Sequence, residues 1–518
     1  GPGLYAGRLG PLLIRGCASA TNRKQKHFIV KKSMMKQTIL AAMAALALVM
    51  TGCNNDNDDN GGPTTGTIDD ILFEDGTQIG NGDQEFTIPV GKYTLPKGTY
   101  DLYGWVYIPS GAELTIEPGT VIKGVSGSKA TLIVERGGKI HAVGTKSEPI
   151  VFTSDRPAGS RKPGDWGGLI LLGKAVNNKG EMTIEGGPRV NHGGQDNADS
   201  SGELCYVRVE FAGYPYREDE DINGITLGSV GSGTTISHVQ VSYTNDDSFE
   251  WFGGAVNCDH LVAYHGWDDD FDTDNGFSGK VQFCLGVRNP RLADTSVSNG
   301  FESDNNGDGS AATPRTSCVF SNVTFVGPIG QDASFTNTSD YINGGDVKPD
   351  NGSKLGQFQA AMQIRRNSNL SCFNSVAVGF PVGIIIENDK GSDTQGDATD
   401  GKFKISNVVF AGMTQLASDA NKKFGEDLGA FSAAYFQTAG LNNRTYDNIS
   451  DLKLTQPNSL QAGFDCRPAS GSPLLTGASF TDALVSEGFE QVDYIGAFSS
   501  DDDWLDGWTE FDPQNAVY

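Results

Sequence analysis

The chain has 518 residues, enough for several ordinary domains or one long repeat array. Gly accounts for 68 of them without a Gly-X-Y period, which excludes collagen and calls for many turns. A net charge of -25 excludes nucleic acid as a partner, because its backbone demands a basic surface.

Residues 1–52 hold eight Lys and Arg and no Asp or Glu, which leaves 31 basic against 64 acidic residues in the rest. Within this region "MKQTILAAMAALALVMTGC" runs from Met35 to Cys53. A Lys precedes a short apolar run, and small residues precede a cysteine. The run is too short to span a bilayer, so 35–52 reads as a secretory signal. Its ending, "VMTGC", resembles the lipobox of bacterial lipoproteins, which implies cleavage before Cys53 and acylation of that cysteine. Residues 1–34 are expected to be an extra or mis-assigned leader. The polar, acidic 53–68 is predicted to be a disordered tether. Acids directly after the lipid cysteine resemble the surface-export signal of Bacteroidota lipoproteins. That resemblance implies an outer-membrane, lipid-anchored protein exposed at the cell surface.

Beyond the tether, "GAELTIEPGTVIKG", "ATLIVERGGKIHAVG" and "EPIVFTS" alternate apolar and polar residues between Gly, Pro and Asn turns. Helical periodicity is almost absent until "LGAFSAAYFQTAG" at 428–440. An all-β chain of this length makes a sandwich, a propeller or a solenoid. A repeat decides among them: "ISHVQVSYTNDDSFE" (236–250) matches "CDHLVAYHGWDDDFD" (258–272) residue for residue, 22 positions on. A weaker copy, "SNGFESDNNG", places Phe301 and Glu302 in line after an inserted loop. Such a period predicts a right-handed parallel β-helix over 101–413, with an N-terminal cap at 69–100 and an irregular, partly helical rung and cap at 414–518. "EFAG", "GDWGGLILLG", "GSPLL" and the ending "YIGAF…DDWLDGWTEFDP" resemble the pectate-lyase-like β-helix surface lipoproteins of Bacteroidota.

The cysteines form no C-x-x-C pair, which argues against a zinc knuckle. Cys205 and the five after it lie mostly in or beside apolar runs and read as buried thiols, with disulfides also open outside the cytoplasm.

In a coil of this period, like residues stack on adjacent turns. If Phe249 and Phe271 point inward, strand alternation turns Asp268, Asp270, Asp272 and Asp274 outward together. Asp246 and Glu250 face the same way on the turn before, and Glu302 and Asp304 on the turn after. Two unit charges 5 Å apart repel by ~0.8 kcal/mol in water and ~3 kcal/mol at an effective dielectric of 20. Three outcomes relieve this: raised pKa values, carboxylates turned to backbone N–H groups, or a hard cation such as Ca²⁺ held by these eight residues. "DNNGDG" at 304–309 matches the first half of a calcium loop, but its closing Glu is missing.

No catalytic residue is singled out. The Asn-Thr-Asp, Asp-Asp, Gly-His-Gly series of polygalacturonases is not reproduced, since "DTD" follows the "DD" pairs and no His occurs after His265. Trp251, Phe252, Trp267 and Arg288 are the candidate ligand contacts. The expected function is a non-enzymatic surface lipoprotein that binds polysaccharide or serves an outer-membrane transporter. A Ca²⁺-dependent polysaccharide lyase is the alternative, with Asp268 and Asp272 as the carboxylates nearest to that role.

Overall fold

The computed structural model describes residues 66–184, 189, 191–217, 220–343 and 352–518, all within one unit, Pro63–Tyr518. The leader, the signal, Cys53 and nearly all of the tether lie outside the described residues.

Two long parallel sheets run the length of this unit, one of 11 strands and one of 18. The 11-stranded sheet adds one strand per turn of chain, so Phe249–Phe252 pairs with Phe271–Asp274, which pairs with Phe301–Ser303. The 18-stranded sheet folds around a corner to supply the other two sides. Its long strands Gly202–Glu210, Thr235–Ser242, Cys258–Tyr264 and Lys280–Val287 each pass through that corner. The architecture is a right-handed parallel β-helix. The 22-residue register is the one read from sequence: Val239 pairs with Leu261 and Phe249 with Phe271.

The core is a set of stacks. Val207, Val239, Leu261, Cys284 and Val323 pair turn by turn and are fully buried. The Phe249 and Phe271 rings stack at 5.5 Å, and Phe301 follows at 6.0 Å. Burying each such side chain contributes roughly 1.5–3 kcal/mol. The six described cysteines are free thiols, five of them buried.

The bend in the broad sheet is made by one left-handed residue per turn. Tyr206, His238, His260 and Phe283 have φ of 51°, 56°, 54° and 60°. Asn322, Asn374 and Asn407 continue the corner at 58°, 51° and 56°. Asn takes this conformation more readily than most residues because its amide bonds locally.

Both caps differ from their expected limits. Gly91–Leu95 and Thr99–Leu102 already pair in parallel with Ala112–Ile116 and Val121–Gly124, so the coil begins before residue 101. At the other end Arg444–Tyr446 still pairs with Val409–Ala411. The helix Ala430–Phe436 closes the core by stacking Phe436 on Phe410 at 4.5 Å. The remainder, from about Leu452 onward, is not an end cap. It is a strap that returns along the outside of the broad sheet towards the N-terminal turns. Asn374 Nδ2 donates to the Ser479 carbonyl at 3.0 Å, Asn322 Nδ2 to Tyr494 at 3.0 Å, and Gln240 Nε2 to Glu510 at 2.8 Å. Arg161 reaches the carbonyls of Pro513 and Ala516. Beneath the strap, Val262, Leu285 and Val376 pack on Leu474, Ile495, Trp504 and Trp508 as a second apolar core.

Candidate functional site: an acidic furrow on the narrow sheet

The outer face of the 11-stranded sheet changes character along its length. Tyr107, Ile133 and Ile170 pair on successive turns and are buried beneath Ile184 and Ile222, with the Arg189 guanidinium 3.9 Å above the Tyr107 ring. The row then turns polar: Thr226, Glu250, Asp272, Glu302 and Gln363 follow one another in direct register. It closes again at Ile385, which packs near Phe424. Glu250, Asp272 and Glu302 are half-buried and Thr226 and Gln363 are buried, so the open part of this furrow is the three acids alone. Asn223 Nδ2 donates to Glu250, Ser296 Oγ donates to Asp268 at 2.7 Å, and Asn421 packs against Gln363 at 3.0 Å.

A second ladder supports the furrow. Asp247 Oδ1 accepts the backbone N–H of Asp269 at 2.9 Å, and Asp269 Oδ1 accepts that of Asn299 at 2.6 Å. Asn299 Oδ1 accepts that of Ala360 at 3.0 Å. Each side chain satisfies the N–H of the next turn, between residues 22, 30 and 61 positions apart. Carboxylate turning to the backbone is therefore realised, but by Asp247 and Asp269, which lay outside the expected acidic set.

Of the expected acids, Asp246, Glu250, Asp268, Asp272 and Glu302 converge. Among the described residues, three triplets each bring carboxylate oxygens within 4.8 Å of one another: Asp246–Asp247–Asp268, Asp247–Glu250–Asp272 and Asp269–Asp272–Glu302. Asp268 also keeps Oδ1 buried without a hydrogen-bond donor. Burial, then neighbouring carboxylates, holds Asp247, Asp268 and Asp272 well above the usual Asp range. Asp274 sits in the next column, paired with Phe252, and is raised by burial and by Asp304.

Two expected ligands are corrected. Asp270 does not join the ladder; it turns inward to Arg288 Nη1 at 2.7 Å, and both side chains are fully buried. Burial raises its pKa to about 6 against the pull of the guanidinium. Asp304 is already neutralised, by Arg365 Nε at 2.8 Å and Arg366 Nη1 at 3.1 Å. The "DNNGDG" stretch does not gather its oxygens, since Asp308 points to solvent and caps Ser310 N–H.

The expected ligand contacts are corrected more strongly. Trp251 and Trp267 are fully buried, and Trp251 stacks on Phe277 at 5.2 Å inside the coil. Strand alternation puts Trp251 on the face opposite to Glu250. Arg288 is the buried partner of Asp270 and cannot reach a surface ligand. Phe252 faces outward but packs against the covered apolar half.

Arg365 is the cation at the C-terminal end of the acidic row. It pairs with Glu302 as well as Asp304, and lies 3.9 Å from Glu387. Burial opposes its charge, but these carboxylates outweigh that and hold it protonated. Glu387 is pushed up to about 7 by burial. Only its place two positions after Gln363 on an outward row could have marked Arg365, and that row is visible only once the register is known.

No curated protein matches the chain. A solved structure to which the chain aligns is the Dettilon tailspike protein (gp208), at 9% identity and a TM-score of 0.25 over 70% of this chain. The chain spans 63% of that tailspike chain. A family model described as a pectate-lyase like beta helix domain matches residues 87–451, most of the coil. The chain belongs to the pectate-lyase-like β-helix family.

Proposed function

We propose that this protein is a non-enzymatic carbohydrate-binding β-helix that lays an extended polysaccharide across the furrow, and that an acylated Cys53 holds it on the outer-membrane surface. The observation that carries the reading is the in-register run of half-buried acids Glu250, Asp272 and Glu302, which the buried Thr226 and Gln363 continue at either end. Carboxylates and amides at a repeat of about 4.8 Å match the hydroxyls of a chain of sugar rings and recur without a unique reacting centre. Membership of a pectate-lyase-like family supports a polysaccharide as the ligand class.

The donor set also fits a hard cation. Ca²⁺ takes six to eight oxygens, and Asp246, Asp247 and Asp268, or Asp269, Asp272 and Glu302, would supply the carboxylate part. Bound there, it would bridge acids that otherwise repel and present open positions to sugar oxygens. A lyase additionally needs a side chain free to accept a proton. Arg365 and Arg366 are each tied to two carboxylates, and Arg288 is buried.

Affinity electrophoresis in gels containing neutral and acidic polysaccharides tests the reading. Retardation is expected without turnover and is weakened in the Glu250→Gln, Asp272→Asn double variant. Product absorbing in the ultraviolet as an unsaturated sugar would establish the lyase instead. Co-purification with an outer-membrane barrel, without retardation by any glycan, would make it a transporter accessory.

A further inference from the structure

The strap is held differently at its two ends. Over the C-terminal turns the corner residues beneath it are Asn322, Asn374 and Asn407, which hydrogen-bond its backbone and carry no titratable group. Over the preceding turns the same corner carries His238 and His260. Their rings stack at 4.2 Å, and Tyr206 continues the pile on His238 at 4.5 Å. Trp504 and Trp508 of the strap stand edge-on over it: Trp508 lies 5.7 Å from His238 and Trp504 lies 5.0 Å from His260. The two imidazoles are within 11° of parallel, and one ring nitrogen of each lies with an Asp259 oxygen in a group whose atoms are within 4.8 Å of one another.

A third histidine pins the strap from the neighbouring corner. His265 is fully buried, with Nδ1 2.9 Å from Tyr243 Oη and Nε2 2.8 Å from Ser459 Oγ of the strap. Ser459 gives its proton to Gln331 Oε1, so the ring donates from Nε2, and in the neutral ring Nδ1 accepts from Tyr243 Oη. Three of the five described histidines thus touch one segment.

We propose that the strap, Leu452–Tyr518, is an acid-released clasp, held shut by neutral His238 and His265 and loosened when these two rings take up protons. The surroundings of each ring oppose a charge. His238 faces aromatic rings and His260; Asp259 is the one carboxylate that pulls the other way. His265 faces the Arg288 guanidinium. Burial and these neighbours hold His238 down at about 4 and His265 at about 3. His260 Nδ1 lies 2.6 Å from Asp259 Oδ1.

In the released state both histidines return towards their ordinary value near 6.5. The released state therefore binds more protons. The clasp is shut above that value and loses its advantage as pH falls towards 4. At pH 5 each histidine favours release by at most about 30-fold, and the two together by at most about 10³, because Arg288 and His260 stay on the coil beside them. Glu210 acts in the opposite sense: it is buried, accepts the Tyr518 hydroxyl at 2.6 Å, and is raised by burial despite Arg208. On the strap, Asp503 is raised by burial, and Asp506 pairs with Lys146 in solvent. Glu510 and Asp512 lie towards Tyr264.

Hydrogen exchange of the full chain at pH 7.5 and pH 5.0, corrected for the intrinsic rate, tests this. Opening of 452–518 should rise at least 30-fold at pH 5.0 while the strands of the narrow sheet stay protected. The variant His238→Asn, His265→Asn should abolish the rise, since Asn suits the left-handed backbone and does not titrate. Should that variant fail to fold, His238→Asn alone should lose about half of the response on a logarithmic scale. Equal protection of the wild-type strap at both pH values overturns the proposal, as does an undiminished rise in the variants.

Discussion

Glu250 and Asp272 are directly paired on adjacent parallel strands, and Asp272 is paired in turn with Glu302, so three carboxylates separated by 22 and 30 residues occupy consecutive storeys of one wall. Phe249, Phe271 and Phe301, one position earlier, make the corresponding column inside the coil. The two columns depend on each other: the phenylalanine stack fixes the register, and the register forces the acids together.

The cost of that proximity is measurable. Burial and then Glu250 hold Asp272 well above its unfolded pKa, so its contribution favours the fold at low pH and is lost as pH rises through the folded value. In chelator, Asp272→Asn should therefore raise the melting temperature at pH 8 by on the order of 2–4 °C, and the gain should shrink towards pH 5. A calorimetric pH series on both proteins gives the difference.

A saturating cation should reverse this order. Ca²⁺ at about 100 times its Kd would stabilise the wild type by about 2.7 kcal/mol and Asp272→Asn by much less. Thermal melts with Ca²⁺ added to chelator-treated protein read the effect, and Mg²⁺ serves as the control.

Trp251 and Glu250 are neighbours with opposite roles. Trp251→Ala should cost about 3–5 kcal/mol by opening a cavity in the coil, yet leave glycan retardation of the folded fraction unchanged. Glu250→Gln should weaken retardation without lowering the melting temperature, because it relieves the repulsion on Asp272. Denaturation and affinity electrophoresis on the same two variants separate the roles.

Asp270 and Arg288 form a fully buried ion pair, so removing one partner strands a charge. Arg288→Met should destabilise by about 3–5 kcal/mol, whereas Asp270→Leu combined with Arg288→Met should recover most of the loss. Denaturant titration of the three variants checks this double-mutant cycle.

Asn374 Oδ1 accepts the Ser479 N–H at 2.9 Å, and its Nδ2 donates to the Ser479 carbonyl. Asn374→Gly should cost about 1–3 kcal/mol for the strap bonds it leaves unmade. Asn374→Ala should cost about 1 kcal/mol more, because φ is 51° there. Stability measurements on the pair distinguish side-chain from backbone terms.

The solenoid, its period and its stacked acids were legible in the chain because inward residues must match at each repeat. "HVQVSYTNDDSFE" over "HLVAYHGWDDDFD" carries that constraint in plain text. The strap was not read from the chain, which was expected to end in a cap. "HLVAYHGW", "VQFCLGV" and "CVFSNVTFV" are nearly continuous apolar runs, which mark strands covered on both faces rather than one. What covers them does not follow from the runs themselves, because the covering residues lie far along the chain, as Glu490 does at 208 positions from Gln282.

The fate of each polar side chain was decided by tertiary structure alone. Asp268, Asp269, Asp270 and Asp272 are near neighbours of one residue type, yet one borders the furrow, one bonds the next turn, one is buried on Arg288 and one lines the row. Alternation assigns a side chain to a face, but neutralisation depends on partners brought in by other turns: Asn299 for Asp269, Arg288 for Asp270, and Arg365 for Glu302. The chain by itself fixed the repeat and therefore the coil, since burial of identical positions is a one-dimensional requirement. Which acids remain open to a ligand is a matter of three-dimensional charge pairing, and only the folded molecule sets it.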